Sequence, residues 1–277
     1  MNSRTPIIAA GLGHAVKAAL VGAVIAGCGF APTGVAPDGA GGDGGPGIDG
    51  DGGPTLDGPP GVPLCDDGDQ DLLLCVSFDD GTPRNDAASS IQPQRMIDVD
   101  PIAGQVGMGG GFGDTTVLQF PEDSRLDLLQ PFAFELFVRL DEPPGTTGSR
   151  RIGLVDNNGQ YSLFADQRDL GSGTQIYPYC NAQATVVGTM PLVIGQWHHV
   201  ACVQEAGMLR IYVDGVVASV ANPTPIATMV SNGTVIGQDG DGNPETQSDA
   251  MVGGVDELRL WRVARGADQI QAAAARR

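Results

Sequence analysis

Residues 195–215 restrict the possible folds most strongly, because β-rich segments lie there with only short turns between them. Segments 197–204 and 208–213 are rich in β-branched and aromatic residues and are separated by a short loop that contains Gly207. Asp214 and Gly215 then supply a tight turn, since a type I′ hairpin needs positive φ at both central residues. Residues 216–220 return as a third strand. The local chemistry therefore predicts an antiparallel three-stranded meander.

Strand-like segments continue through most of the chain after residue 64, without helical repeats between them. The clearest is residues 132–140, where apolar residues alternate with others that include Glu135 and Arg139. This alternation predicts one strand face in the core and one, carrying Glu135 and Arg139, in solvent. The remaining predicted strands are residues 72–78, 116–120, 151–156, 161–165, 175–179, 184–189, 234–237 and 256–261. About a dozen strands separated by turn residues predict an all-β, two-sheet antiparallel sandwich of jelly-roll type over residues 64–267. The alanine-rich residues 268–277 predict a short C-terminal helix.

Three ordered blocks of sequence carry a family resemblance. They are Gln-Trp-His-His-Val-Ala at 196–201, Leu-Arg-Ile-Tyr-Val-Asp-Gly at 209–215 and Val-Asp-Glu-Leu-Arg-Leu-Trp at 255–261. Together they resemble the laminin G-like jelly-roll module of the concanavalin A-like lectin/glucanase superfamily. The resemblance implies this fold and a habit of binding. It implies no particular activity, because the fold hosts unrelated functions.

Residues 1–27 have the layout of a secretion signal. Arg4 and Lys17 accompany an apolar run, residues 18–26, that is shorter than the roughly 20 residues of a membrane-spanning helix. The sequence Ile-Ala-Gly-Cys at 25–28 resembles the bacterial lipobox, which implies that Cys28 is lipid-modified and becomes the mature N-terminus. An ordinary cleaved signal is the alternative. Gly29 stands where an inner-membrane retention signal would have Asp, so the resemblance implies export to the outer membrane or cell surface.

Residues 28–63 predict a disordered linker. Residues 31–63 hold twelve Gly, seven Pro and five Asp and no aromatic or basic residue. Such a segment cannot bury enough apolar area to offset its backbone entropy. Its expected role is to hold the following domain away from the membrane.

The charge of the chain restricts its partners. The formal net charge is −18, and Lys17 is the only lysine. We therefore expect neither nucleic acid nor an anionic membrane surface as a partner, and assign the membrane contact to the lipid anchor alone. The charge does not exclude divalent cations or neutral polymers as partners.

Four cysteines follow Cys28, and an even number in an exported chain predicts disulfides in one of three connectivities. We favour Cys65 with Cys75, which closes an acidic loop, and Cys180 with Cys202, which would clamp neighbouring strands of the meander region. A zinc site is the alternative, but these cysteines lack the close paired spacing that structural zinc usually shows.

The family resemblance also implies a calcium site. In many relatives of this fold, the first and last strands meet at the sheet edge and hold calcium through an acid at the position that Asp256 matches, together with oxygens of the first-strand turn. Carried over, Asp80 and Asp256 are the expected side-chain ligands and Asp79 is a weaker third. The alternative is that these acids only cap turns and solvate the surface. A second acidic stretch, residues 239–243, begins like an EF-hand loop, but Ala250 stands where the glutamate would be, so we expect an ordinary loop.

Few residues suggest catalysis. His198 and His199 lie inside a predicted strand and belong to a block that is structural in the family, and the paired-carboxylate run of the glucanase relatives is absent. We therefore expect no catalytic residue and no enzyme activity.

Three tyrosines are the best surface candidates for contact with a ligand. They are Tyr161, Tyr177 and Tyr179, although packing within the sandwich with only the hydroxyl exposed is the alternative. The sequence thus predicts a lipid-anchored cell-envelope protein whose lectin-like module binds a carbohydrate or an extracellular protein, with calcium as the candidate cofactor. A divergent glycan hydrolase or lyase on the same fold and a purely structural envelope protein are the alternatives.

Overall fold

The structure is a computed structural model of the 277-residue chain. The residues that it describes are 65, 68–128, 131–145, 150–157, 159–171, 173–182, 184–222, 233–240 and 249–276. The predicted signal peptide, Cys28 and the predicted linker lie outside the described residues. Within the described ranges, no helix is long and apolar enough to span a bilayer.

The described residues form strands and one short helix. The elements in chain order are β1 Leu72–Val76, β2 Arg95–Ile97, β3 Asp100–Ala103, β4 Met108–Phe112, β5 Val117–Phe120, β6 Phe132–Leu140, β7 Arg151–Asn157, β8 Tyr161–Asp169, β9 Thr174–Asn181, β10 Thr185–Val187, β11 Trp197–Glu205, β12 Met208–Val213, β13 Val216–Ala221, β14 Thr234–Ile236, β15 Gly253–Trp261 and α1 Ala267–Ala274. Sheet A has the order β13-β12-β11-β6-β15-β4-β3, with β1 also paired to β15, and sheet B has the order β10-β9-β8-β7-β14-β5-β2. This arrangement confirms the predicted all-β jelly-roll sandwich.

The core lies between the two sheets. On the inner side of sheet A, Phe132 and Phe134 of β6 are fully buried, and their rings stack with centroids 6.0 Å apart. Tyr161 of sheet B packs against both rings at 5.9 and 5.5 Å. Burying each such side chain contributes roughly 1.5–3 kcal/mol, so the alternating apolar residues of β6 hold the two sheets together.

Three short strands, β2 to β4, were not predicted. β3 contains Pro101 and β4 contains three consecutive glycines, both of which are unusual inside strands. β3 lies at the edge of sheet A, where a proline need not remove a ladder hydrogen bond. The pairing partners in the folded sheet, rather than local propensity, make these segments strands.

The cysteine pairs are those that the sequence favoured. Cys65 and Cys75 are disulfide-bonded with their Cα atoms 5.7 Å apart, and Cys180 and Cys202 are bonded at 6.2 Å. The prediction that the second bridge clamps neighbouring strands is wrong. Cys180 lies in β9 of sheet B and Cys202 in β11 of sheet A, so this bridge crosses the core and joins the two sheets.

Helix α1, at Ala267–Ala274, agrees with the predicted C-terminal helix and packs on the outward side of sheet A. Its Ile270 is fully buried in a small apolar cluster that includes Ala133, Ala201 and Trp261. The prediction that Glu135 of β6 faces solvent is therefore wrong, since Glu135 is only 2% exposed. Alternation along β6 correctly placed this side chain outside the core, but the C-terminal segment then covered it.

Candidate functional site

The outward side of sheet B is lined by alternate residues of its central strands. Core residues of β8 and β9 include Leu163, Ala165, Ile176 and Cys180, so the residues between them point away from the core. In β7 a bulge interrupts the alternation after Gly153. The outward set is Arg151 and Asp156 of β7, Ser162, Phe164, Asp166 and Arg168 of β8, and Gln175, Tyr177, Tyr179 and Asn181 of β9. We call this set, together with Asp239 and Asp249, the B face.

Strand register arranges the B face in rows. Asn181 of β9 lies opposite Ser162 of β8, which in turn lies opposite Asp156 of β7. Directly opposed side chains in an antiparallel pair have Cβ atoms about 4.5–5.5 Å apart. The three residues therefore form one polar row across three strands. A second row places Phe164 opposite Tyr179.

The aromatic row is covered by arginines. The rings of Phe164 and Tyr179 stack with centroids 5.4 Å apart and planes 15° apart. The guanidinium of Arg151 lies 4.6 Å from the Phe164 centroid, and that of Arg168 lies 5.1 Å from the Tyr179 centroid. The two aromatic residues are consequently 3% and 5% exposed.

The prediction of three exposed tyrosines is wrong on exposure, although it identified the correct region. Tyr177 is 2% exposed, and its hydroxyl donates to Gln175 at 2.8 Å. Tyr161 is 1% exposed and belongs to the core, where its hydroxyl lies 3.2 Å from the Thr234 hydroxyl and 3.4 Å from the Asn157 amide nitrogen. Burial raises the pKa of Tyr161. None of the three presents an open ring face as a stacking platform.

Arg151 is the central cation of the B face. Its Nε donates to Asp249 at 2.7 Å, and its terminal nitrogen donates to Asp239. It also bonds to the side chain of Tyr179. Burial lowers the pKa of Arg151, but its bond to Asp249 and the charge of Asp239 outweigh burial and raise it. The guanidinium therefore stays charged and joins both acids to the sheet.

Asp156 and Asp239 form a hydrogen-bonded carboxyl pair. Asp156 is 5% exposed and accepts a bond from the Gly240 N–H at 2.8 Å. Burial and the negative charge of Asp239 together raise the pKa of Asp156 to about 7. Asp156 therefore binds a proton more readily than an isolated aspartate does. Glycosidases instead hold their two carboxyl groups about 5–10 Å apart around the scissile bond.

A depression of about 300 Å³ opens on the B face beside this pair. Its lining is mostly polar. The side chains there offer both hydrogen-bond donors and hydrogen-bond acceptors. The polar residues that define it are Arg151, Asp156, Gln160, Ser162, Asn181 and Asp239.

The two histidines of the family block have structural partners. His198 accepts the Val193 N–H at its Nε2, 3.0 Å away, and its Nδ1 lies 2.9 Å from Asp214, so these partners assign the proton to Nδ1. Asp214, at φ 50°, also accepts the His199 N–H at 3.0 Å. Burial raises the pKa of Asp214, but its contacts with His198 outweigh burial and lower it. The block thus ties the turn between β12 and β13 to β11.

The predicted metal ligands Asp79 and Asp256 lie beside the turn between β3 and β4 and not at a sheet edge, because β15 is an inner strand of sheet A. Asp256 of β15 is fully buried, and its two carboxylate oxygens accept the N–H groups of Val106 and Glu257 at 2.9 and 2.8 Å. Burial, with smaller contributions from Glu257 and Asp79, raises the pKa of Asp256 to about 7. Asp79 accepts the Met108 N–H at 3.0 Å.

The turn around these acids requires glycines. A Cβ at Gly104 would lie 2.5 Å from an Asp256 oxygen, and one at Gly107, which has φ +62°, would lie 2.2 Å from an Asp79 oxygen. The structure thus brings Asp79 and Asp256 to one turn. Asp80 is instead occupied in its own turn, where it pairs with Arg84 at 3.0 Å and accepts the Thr82 N–H. Among the described residues, no group of three or more His, Cys, Asp or Glu side chains is placed to hold a metal ion.

Most of the B face was not identified from the sequence. The missed residues include Arg151, Asp156, Phe164, Asn181 and Asp239. Polar residues at alternate positions of residues 162–168 could have shown which sides of these strands leave the core. The contacts of Arg151 with Asp239 and Asp249 had no local signal, since they join residues 88 and 98 positions apart.

Comparison with known proteins places the chain by fold. The family model Laminin_G_3, described as concanavalin A-like lectin/glucanases superfamily, matches residues 112–271. Domain 4 of AbnA, an extracellular arabinanase from Geobacillus stearothermophilus solved in complex with arabinotriose, is similar at a TM-score of 0.55 and 16% identity, over 73% of this chain and 98% of that one. The binding domain of Paraclostridial Mosquitocidal Protein 1 is similar at a TM-score of 0.57 and 8% identity, over 74% of this chain and 52% of that one. No curated protein sequence matches the chain.

Proposed function

This chain belongs to the Laminin_G_3 family of the concanavalin A-like lectin/glucanases superfamily, and from that premise we propose that its sandwich is a lectin-like module that binds carbohydrate at the B face. The observation that carries the proposal is the polar row Asn181, Ser162 and Asp156, which lies in a depression of about 300 Å³. An extracellular protein is the other ligand class that such a surface could take.

The chemistry of the row suits sugar hydroxyl groups. A hydroxyl both donates and accepts, so it pairs best with amides, carboxyls and hydroxyls that offer both functions side by side. Asn181 and Ser162 supply such groups within 3.4 Å of one another. The arabinanase domain solved with arabinotriose adds support by fold-level analogy.

A panel of soluble polysaccharides tests the proposal by affinity electrophoresis, followed by calorimetry with oligosaccharides of the retained polymer. We expect Asn181→Ala and Ser162→Ala each to weaken binding about tenfold, since each removes a hydrogen bond worth about 1–1.5 kcal/mol. Arg210→Ala in sheet A, whose pair with Glu205 is loose at 3.8 Å, is the matched control and should bind as wild type. Retention of no polymer, or equal loss in the control, would contradict the proposal.

We propose that the module is not an enzyme. A glycan hydrolase or lyase is the second candidate because Asp156, with its pKa raised to about 7, is in the range useful for a general acid. Incubation of the retained polysaccharide with the protein should release no new reducing or unsaturated ends. Release that disappears in Asp156→Asn would establish the enzyme instead.

We further propose calcium as a structural ligand at Asp79 and Asp256. Hard cations prefer carboxylate and carbonyl oxygens. The site fits this preference, because a buried carboxyl with a raised pKa lies beside a second acid in a turn that glycines keep free of side chains. The two carboxylates would supply the negative charge, and calcium would link β15 to the turn before β4.

Thermal unfolding with calcium and with a chelator tests this proposal. Calcium at about 100 times its dissociation constant should stabilise the protein by about 2.7 kcal/mol. Asp256→Asn should abolish the calcium-dependent shift. Asp80→Asn, at the neighbouring acid that pairs with Arg84, should leave it unchanged. Equal melting temperatures with calcium and with chelator would contradict calcium binding at this site.

The location of the protein is also a proposal: export, acylation of Cys28 and attachment to the outer membrane or cell surface. The two disulfide pairs support an oxidising compartment. Mass spectrometry should find acyl chains on Cys28, and Cys28→Ser should release the protein from the membrane fraction. A Cys28→Ser protein that still sediments with membranes would contradict the anchor.

A further inference from the structure

We infer that the B face selects uncharged glycans and disfavours anionic ones, because its arginines are already paired with its own carboxylates. This inference rests on the proposed carbohydrate binding and specifies the class of ligand for the same site. It concerns charge, which the fold itself does not determine.

Arg151 has two acidic partners. Its Nε bonds to Asp249 at 2.7 Å, and its terminal nitrogen bonds to Asp239. Both carboxylates are well buried, with side chains 13% and 11% exposed, whereas the arginine is 39% exposed. A uronate or sulfate approaching Arg151 would compete with two acids that are already in place. Such charge-assisted bonds are about twice as strong as neutral ones.

Arg168 is paired in the same way. Its Nε bonds to Asp166 at 2.9 Å, and its guanidinium plane lies over the ring of Tyr179. The ring occupies one side of the guanidinium and the carboxylate occupies one edge. An anion that approached Arg168 for bidentate recognition would therefore lie beside the carboxylate of Asp166 at the same guanidinium.

The charges of the B face do not favour an anion. Four carboxyl groups (Asp156, Asp166, Asp239 and Asp249) face two guanidinium groups (Arg151 and Arg168). A proton bound by Asp156 still leaves the face negative. Like charges about 4 Å apart repel by about 1 kcal/mol in water and by more in a partly buried groove. The uncharged hydroxyl groups of a neutral glycan meet no such repulsion. They can donate hydrogen bonds to the remaining lone pairs of these carboxylates.

Other arginines near the edge of the sheet do not change this balance. Arg95 of β2 lies three strands away from β7, at about 14 Å given a strand spacing of about 4.8 Å. Arg150 precedes β7 and is exposed. Its substitution therefore controls for anion binding that does not depend on Arg151 or Arg168.

The test compares neutral with anionic polymers at about 0.15 M salt. The probes are arabinan, galactan and glucomannan on one side and polygalacturonate, alginate and heparin on the other. We expect wild type to bind at least one neutral polymer at least tenfold more tightly than any anionic one. Asp166→Asn combined with Asp249→Asn should free guanidinium edges and increase the affinity for polygalacturonate about tenfold. Near-ultraviolet circular dichroism and melting confirm that the double variant is folded.

Each outcome decides the inference. A wild-type preference for the anionic polymers would overturn it while leaving carbohydrate binding intact. A folded double variant that gains no anion binding would also overturn it, as would a gain that Arg150→Ala abolishes. Failure of wild type to bind any polymer of either set would overturn the inference together with the proposed function.

Discussion

The two sheets carry charged side chains on their outward sides, and the molecule uses them differently. On sheet A, the outward side chains of Glu135, His199 and Arg259 are 8% exposed or less, and Ile270 of α1 packs with their outward neighbours Ala133 and Ala201. On sheet B, the charged groups border a depression that opens to solvent, and Arg151 and Arg168 remain 39% and 32% exposed. Similar residue types are therefore sealed into a structural network on one side and left at a surface on the other.

The sheet A network is ionic and closely connected. Arg259 forms an ion pair with Glu135 at 2.7 Å, and His199 lies 3.4 Å from the same carboxylate. Burial raises the pKa of Glu135, but the charge of Arg259 and the close approach of His199 outweigh burial and lower it. Next to this group, Arg276 from the end of the chain bonds to Glu257 of β15 at 2.9 Å. The comparison teaches that burial by a distant segment, and not residue type, separates a structural charge from one available to a ligand.

Arg259→Leu should produce the largest change in stability. It leaves Glu135 buried without its main partner, which typically costs about 3–5 kcal/mol. Urea unfolding measures the loss. Arg262→Ala, at the residue that directly follows β15, is the control, because its pair with Asp71 is 56% and 43% exposed and should contribute about 0–1 kcal/mol. A loss in Arg259→Leu no larger than in the control would mean that the network is not sealed.

Ile270→Ala tests the cover over the same network. Ile270 is the fully buried side chain of α1, and deleting such a group typically costs about 2–5 kcal/mol. We expect a loss of stability near the lower end of this range, because α1 lies at the surface. We also expect faster amide exchange in β11, because α1 would cover this strand less tightly. Gln271→Ala, at an exposed neighbouring position, should change neither quantity. Unchanged exchange in β11 despite the lost stability would show that α1 does not seal this face.

The two faces should also respond to pH with opposite signs. Glu135, with its pKa lowered, stabilises the fold above the pKa of the unfolded chain, and that stability is lost as the pH falls. Asp156, with its pKa raised to about 7, binds a proton in the folded state that the unfolded chain has lost. It therefore favours folding most below about pH 4, and this contribution is lost as the pH rises from about 4 to 7.

Asp156→Asn isolates the contribution of the B face. The difference in unfolding free energy between wild type and variant should change by up to about 1.4 kcal/mol per pH unit between about pH 4 and 7, and should be constant above 7. Urea unfolding at half-unit pH intervals measures it. Parallel curves for the two proteins would show that Asp156 titrates normally in the folded state.

The sequence was sufficient for the sandwich and much less so for the site. Alternation in residues 132–140 and the turn at Asp214 and Gly215 are local signals, and both features are present in the structure. β4 has no such signal, because its three glycines become a strand only between β3 and β15. The same limit applies to Glu135, whose cover comes from residues more than 130 positions later, and to Arg151 with its distant acids.

Arg168→Ala should have the smallest effect on stability and decides whether the B face is a surface. The pair of Arg168 with Asp166 is partly exposed, so its removal should cost at most about 1 kcal/mol by urea unfolding. The loss of the guanidinium over Tyr179 should uncover that ring and make it easier to quench by a soluble quencher. A loss above about 2 kcal/mol would instead mean that Arg168 is held as tightly as Arg259, since only a desolvated charge is so costly to remove. The contrast between the two outward faces would then vanish. A ligand at sheet B would have to break buried ion pairs before it could bind.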